Sequence, residues 1–196
     1  MIDIALLVQL TWIFVWLSRK NSQDALVYGG GIVSAGYVAW QTTGWVSNLM
    51  TSPSNAAFLW LEQHMTSGTQ AVAILSQFLP PQPVTTTLSQ TRFISLHVAR
   101  TLIFCTITIA VFLTFSIITL LRRAIWDNTS HSAHAAEERS GVTSLVALLC
   151  SMYACIISLM FISDVAWVGP FHLLAPYIRQ SLAMHTYAVL LHLMQS

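Results

Sequence analysis

Apolar residues gather in a few long stretches, and polar residues collect between them. Residues 101–121 and 141–163 contain no charged side chain, and each is long enough as a helix to match the roughly 30 Å hydrocarbon core of a bilayer. Residues 2–18 form a shorter apolar run. Residues 25–50 are uncharged but carry five glycines, which are tolerated in a helix within lipid. The pattern predicts four membrane-spanning helices.

The two remaining regions have a weaker, amphipathic pattern. Residues 51–100 link the second and third spans, and an apolar face there predicts one peripheral helix, which prolines from Pro80 onward end. The face comprises Phe58, Leu61, Met65, Val72, Leu75 and Phe78. In the tail, residues 165–196, a second face predicts a helix that lies in the membrane interface or packs on the bundle. That face comprises Ile178, Leu182, Val189 and Leu193.

The composition of the chain indicates that its apolar runs lie in a membrane. Apolar residues make up 55% of the chain and charged residues only 8%, against about 25% charged in ordinary soluble domains. So few charges exclude a soluble globular domain and a disordered chain. The net charge of +1 gives no basic footprint for nucleic acid. We therefore expect a single all-α domain over residues 1–196, an integral membrane four-helix bundle whose partner is the lipid bilayer.

Lysine and arginine positions predict the orientation of the spans. Basic residues favour the cytoplasmic side of a membrane. Five lie in the two loops assigned to that side: Arg19, Lys20, Arg122, Arg123 and Arg139. Three lie on the other side: Arg92, Arg100 and Arg179. The bias predicts that both termini and residues 51–100 are outside. Because Asp3 precedes the first apolar run and the basic pair follows it, that run is expected to be a retained anchor rather than a cleaved signal.

Little in the chain resembles a catalytic or metal site. His131, His134 and Glu138, beside Glu137, are the best metal-ligand candidates, but their spacing is not an H-E-x-x-H motif, so we expect a solvated loop and no metal. Cys105, Cys150 and Cys155 fall inside spans as packing residues. No nucleotide-binding, hydrolase or zinc-protease motif occurs, which predicts a non-enzymatic protein without a cofactor.

Ionisable side chains also bear on transport. Asp3, Asp24 and Asp164 fall at span ends, where we expect water to reach them. A proton-coupled transporter normally carries such groups at mid-depth. The sequence therefore disfavours a pump.

Small side chains recur at helical spacing in three spans, where they allow helix backbones to approach closely. They are Gly31, Ala35 and Ala39 in the second span, Thr106, Ala110 and Thr114 in the third, and Ala147, Ser151, Ala154, Cys155 and Ser158 in the fourth. Two uses are open: the stripes fold the monomer, or they dock a partner helix or a second copy of the chain.

The order of segments resembles a known family. The chain opens M-I-D-I-A-L-L-V, the third span ends in Arg122–Arg123, and Glu138–Arg139 precede the fourth span. That span ends in F-I-S-D, and the tail reads A-P-Y-I-R-Q-S-L. This layout resembles the CvpA family, the colicin V production proteins, although Lys20 follows Arg19 where the family usually has glycine, and only Gly141 remains of the repeated glycines of the fourth span. The resemblance implies a multi-pass bacterial inner-membrane protein that supports toxin production or secretion and envelope homeostasis.

Two further functions remain as alternatives. A small channel or transporter subunit would line a wet path with Thr106, Thr108 and Thr114, or with Ser151 and Ser158. An accessory subunit of a larger membrane complex would have no activity alone.

Overall fold

The protein is all-helical. The computed structural model describes residues 1–20, 22–50, 55–65, 69–79, 89–126 and 141–195. Within these ranges every regular element is a helix, and the only β interaction is an isolated antiparallel bridge between Met65 and Val168. The predicted all-α class is therefore confirmed.

Four long helices form the bundle. They are α1 (Ile2–Ser18), α2 (Ser22–Met50), α5 (Gln90–Trp126) and α6 (Gly141–Val165). Residues 90–121 of α5 and all of α6 are long and apolar enough to cross a membrane, whereas α1 is apolar but has only 17 residues. The glycine-rich α2 is one unbroken helix of 29 residues, about 43 Å long at 1.5 Å per residue. Its continuity does not support a re-entrant loop.

The bundle consists of two packed pairs of helices, and α6 connects the pairs. α2 lies against α5, α1 lies against α6, and α6 also contacts α2 and α5. Two glycines of α2 allow the close approach. A Cβ atom at Gly31 would lie 2.6 Å from the ring of Phe115 on α5, and one at Gly36 would overlap the hydroxyl of Tyr153 on α6. Glycine at these positions lets α2 seat against both neighbours.

α5 begins eleven residues before the predicted span. Its first three turns, residues 90–100, carry Arg92 and Arg100, whose charges excluded this segment from the apolar pattern. A helix continues wherever its backbone bonds are satisfied, whatever the hydropathy of its side chains. The last eleven residues of the predicted loop 51–100 therefore belong to a helix of the bundle.

The remaining described helices form a layer, here called the cap, over the end of the bundle where α1 and α5 begin and α6 ends. It consists of α3 (Ala56–Gln63), α4 (Thr69–Leu75), α7 (Ala175–Gln180), α8 (Leu182–Gln195) and 3-10 turns at Ser76–Phe78 and Gly169–Leu174. The single peripheral helix predicted from Phe58 to Phe78 is wrong, because the chain forms α3 and α4 there. Both are packed inward, with Phe58, Leu61, Leu75 and Phe78 buried. The amide of Gly169 donates to the carbonyl of His64 at 2.6 Å and joins the two halves of the cap.

The predicted apolar face of the tail is split between two helices. Ile178 belongs to α7 and is buried in the cap, whereas Leu182, Val189 and Leu193 project outward from α8. α8 packs instead through Met184 and Ala188.

Apolar side chains are distributed differently in the two layers. The larger buried core lies at the junction of cap and bundle and includes Trp167, Leu75, Val98, Ile178 and Met184. A smaller core at the opposite end surrounds Leu17 and Tyr28. Between them, the sides of the bundle expose large apolar groups, among them Trp12 at 70%, Trp40 at 78% and Trp45 at 68%.

Candidate functional site

Two of the three stripes of small residues are buried or partly buried, and the third is exposed. On α2, Gly31, Ala35 and Ala39 are buried, and the stripe on α6 is buried or partly buried throughout. On α5, Thr106, Ala110 and Thr114 are exposed. The α2 and α6 stripes therefore fold the monomer, and the α5 stripe lies on its surface.

The hydroxyl groups in these stripes bond within their own helices. Thr106 donates to the carbonyl of Leu102 at 2.8 Å, and Thr114 donates to that of Ala110 at 2.9 Å. Thr108 and Ser151, predicted to line a wet path in a channel, are buried and donate to carbonyls of their own helices. These hydroxyl groups therefore have their hydrogen-bond partners within their own helices.

Beside the α5 stripe, the four bundle helices enclose an open cleft of about 510 Å³, here called the side cleft. It is apolar except for a few side chains. One is Gln9 on α1, whose amide donates to the Ser158 hydroxyl on α6 at 2.8 Å. This bond crosses between helices and fixes one wall of the cleft. The wall residues are Gln9, Trp12, Ile13, Trp16, Ile32, Ala35, Thr108, Ile109, Phe112, Leu113, Tyr153, Ala154, Ile157 and Ser158.

A second site lies where the cap covers the bundle, around Asp164 near the end of α6. The expectation that water reaches Asp164 is wrong: its side chain is only 2% exposed, because the cap covers this end of the helix. Burying a carboxyl group is costly unless it is neutralised or hydrogen bonded. Asp164 is the one acidic residue among the buried side chains of the described structure.

Three residues of α5 face Asp164. Nε2 of His97 lies 3.7 Å from Oδ2 of Asp164, too far for a hydrogen bond, and that oxygen has no hydrogen-bond partner within the described residues. The Thr101 hydroxyl donates to the same carboxyl group, and Cys105 lies one turn further along α5, also buried. The spacing 97, 101, 105 places all three on one face of α5.

The cap closes this group from the other side. Burial, with Asp164 and then Cys105 nearby, raises the pKa of Tyr187 on α8 to about 12. The ring of Tyr187 stacks on Phe78 with centroids 6.1 Å apart. We call His97, Thr101, Cys105, Asp164 and Tyr187 the polar junction.

Asp3 is also engaged in the cap. Its carboxylate accepts a hydrogen bond from the Ser181 hydroxyl at 2.7 Å and two more from the amides of Leu182 and Ala183. These groups begin α8, so Asp3 caps a helix that is distant from it in the chain. Sequence spacing alone could not have paired them.

Several predicted residues remain without a structural test. His131, His134, Glu137 and Glu138 lie outside the described residues, as does Arg139. Within the described ranges, no group of three or more histidine, cysteine or acidic side chains is placed to hold a metal ion, and the cysteines are free thiols. Sequence reasoning missed Gln9 and the pairing of His97 with Asp164. Polar residues inside otherwise apolar helices were the available indication.

No protein-family model, curated protein or solved structure matches the chain. The resemblance to the CvpA family therefore stays a prediction from the order of segments and a few short motifs.

Proposed function

We propose that the protein is a multi-pass membrane protein in which α1, α2, α5 and α6 cross the bilayer and the cap lies at one membrane surface. One observation carries this proposal: large apolar side chains are exposed along the sides of the bundle while the main core lies under the cap. Contiguous apolar surface of this kind is stable against lipid and not against water. Trp16, near the end of α1, and Trp45, near the end of α2, are exposed at opposite ends of the bundle, and tryptophan is common at membrane interfaces.

The capped end is proposed to face away from the cytoplasm. Arg92, Arg100 and Arg179 belong to the capped end, and Arg19 and Lys20 to the other. The last turns of α5 add Arg122 and Arg123 to the uncapped end, which then holds the larger positive charge. Both termini then lie outside the bacterial inner membrane.

The role that we propose is docking of another membrane helix, without catalysis. The α5 stripe is exposed, and it adjoins the side cleft through Ile109 and Leu113, its neighbours on the same helix. Small side chains allow close helix approach, and the cleft offers an apolar wall beside them. The partner is a second copy of the chain or another membrane protein. Support for toxin production or secretion is proposed from the CvpA resemblance alone.

Reporter fusions test the membrane topology. Reporters after Gln82 and Ser196 are expected outside, and those after Asn21 and Ser132 inside. A reporter at Gln82 on the same side as Asn21 would contradict the crossing by α2. Four reporters on the reversed sides would keep the spans and refute the orientation.

Crosslinking tests the docking. In a chain whose three native cysteines are replaced by alanine, Ala110→Cys is expected to crosslink to a partner in the membrane. The matched control is Leu145→Cys, also exposed but on α6, which is expected to stay monomeric. Only monomer from both variants, or equal crosslinking from both, would contradict docking through α5.

A further inference from the structure

We infer that Asp164 is a proton-binding site, in which a neutral carboxylic acid group is held against the imidazole of His97. The geometry supplies the first reason. Asp164 is 98% enclosed, and its Oδ2 atom, directed at Nε2 of His97, has no hydrogen-bond partner among the described residues. An oxygen placed in this way suits a hydroxyl that donates to a ring nitrogen once the two groups approach by under 1 Å.

The surroundings do not supply a positive charge to pair with a carboxylate. From α5 the facing groups are His97, the Thr101 hydroxyl and the Cys105 thiol, and from α8 the facing group is the Tyr187 hydroxyl. His97 is the one group among these that can become a cation. No lysine or arginine of the described chain forms an ion pair with Asp164.

His97 is poorly placed to carry the charge itself. Arg100, one turn further along α5, is close enough for its guanidinium to oppose a second positive charge on the imidazole, and His97 is largely buried. The proton therefore lies on Asp164, with His97 neutral, protonated at Nδ1 and accepting at Nε2. Because His97 is 28% exposed, it also connects the site to water.

The site has a consequence for the cap. Loss of the proton would leave a carboxylate enclosed between Tyr187 and the α5 face, and an enclosed charge without a partner is strongly unfavourable. Binding of one proton is thus linked to closure of the cap. By linkage, the closed-to-open ratio falls by up to about tenfold for each pH unit between the titration of the carboxyl group in the open form and its titration in the closed form, and it levels off at higher pH.

Infrared difference spectroscopy across a pH titration tests this directly. The purified wild-type protein is expected to show the C=O stretch of a neutral carboxylic acid, which disappears as the pH rises. Asp164→Asn removes the band. Glu62→Gln, which changes an acidic residue of α3, retains it and serves as the matched control.

Two further results keep the inference falsifiable if Asp164→Asn fails to fold. In His97→Gln the carboxylic acid band is expected to disappear at a lower pH, because the amide oxygen is a weaker hydrogen-bond acceptor than the imidazole nitrogen and stabilises the neutral acid less. In wild-type protein the thermal unfolding temperature is expected to fall as the pH rises towards the value at which the band disappears, and to level off above that value. Three results would overturn the inference. They are a band that Asp164→Asn leaves intact, a band that titrates identically in His97→Gln, and a carboxylate at Asp164 paired with an imidazolium at His97.

Discussion

Asp3 stabilises the start of α8 from a position 178 residues earlier than Ser181. Replacing it with alanine removes three acceptor contacts, one to a hydroxyl and two to backbone amides at a helix N-terminus. Loss of an N-cap side chain costs about 0.5–2 kcal/mol, and hydrogen bonds to a charged group lie toward the upper end of that range. Because Asp3 is partly exposed, we expect Asp3→Ala to cost about 1–2 kcal/mol of α8 docking, a factor of roughly 5–30 in its opening equilibrium.

The substitution Asp3→Asn separates charge from hydrogen bonding. The amide keeps one acceptor oxygen but loses the negative charge that favours a helix N-terminus, which is worth about 0.3–1 kcal/mol. Amide hydrogen exchange along α8 in the purified protein measures both variants. Hydrogen exchange in α8 should be faster in Asp3→Asn than in the wild type and faster still in Asp3→Ala, whereas exchange in α2 should not change. Unchanged α8 exchange in Asp3→Ala, or an equal effect from Glu62→Ala, which removes the same charge from α3, would refute the capping role.

Three other predictions concern packing. Gly31→Ala brings a methyl group to 2.6 Å from an α5 ring and should cost about 1–3 kcal/mol of unfolding free energy, whereas Gly30→Ala, with nothing within 4 Å, should cost nothing; equal effects in chemical denaturation would contradict the close approach. In a double-mutant cycle of denaturation measurements, Gln9→Leu and Ser158→Ala should couple by about 0.6 kcal/mol, the average for hydrogen bonds between membrane helices, and strict additivity would show that the bond contributes nothing. Trp167→Ala empties the centre of the cap core and should cost about 3–5 kcal/mol of unfolding free energy in the same assay. Trp167→Phe should cost much less, because the indole N–H has no partner within the described residues. Equal losses in the two variants would show that the N–H contributes to stability.

Hydropathy predicted the bundle because the uncharged runs are long. The bounds of α1 and α6 agree closely with residues 2–18 and 141–163. It failed at residues 90–100, where Arg92 and Arg100 are charged side chains on a helix that simply continues. A charged side chain marks the end of an apolar segment, but the helix itself does not have to end there.

The polar junction was beyond sequence reasoning for a different reason. Asp164 follows an apolar run, so one-dimensional spacing assigns it to a water-exposed end. Its burial depends on how the chain turns back after α6 to place α8, which begins at Leu182, and on the side on which the cap closes. The stripes show the same limit. Spacing identified Ala110 and Ala147 equally well, but only packing made one exposed and the other buried.

The bond between the Gly169 amide and the His64 carbonyl has a consequence for biosynthesis. It unites a segment translated before α5 with one translated after α6, so the cap cannot close until about a hundred further residues have been added. At 5–20 residues per second this delay is roughly 5–20 s. During that interval Leu75 and Phe78 lack the C-terminal residues that bury them, so another surface must shield them. Closure of the cap therefore marks a chain whose whole bundle has been made.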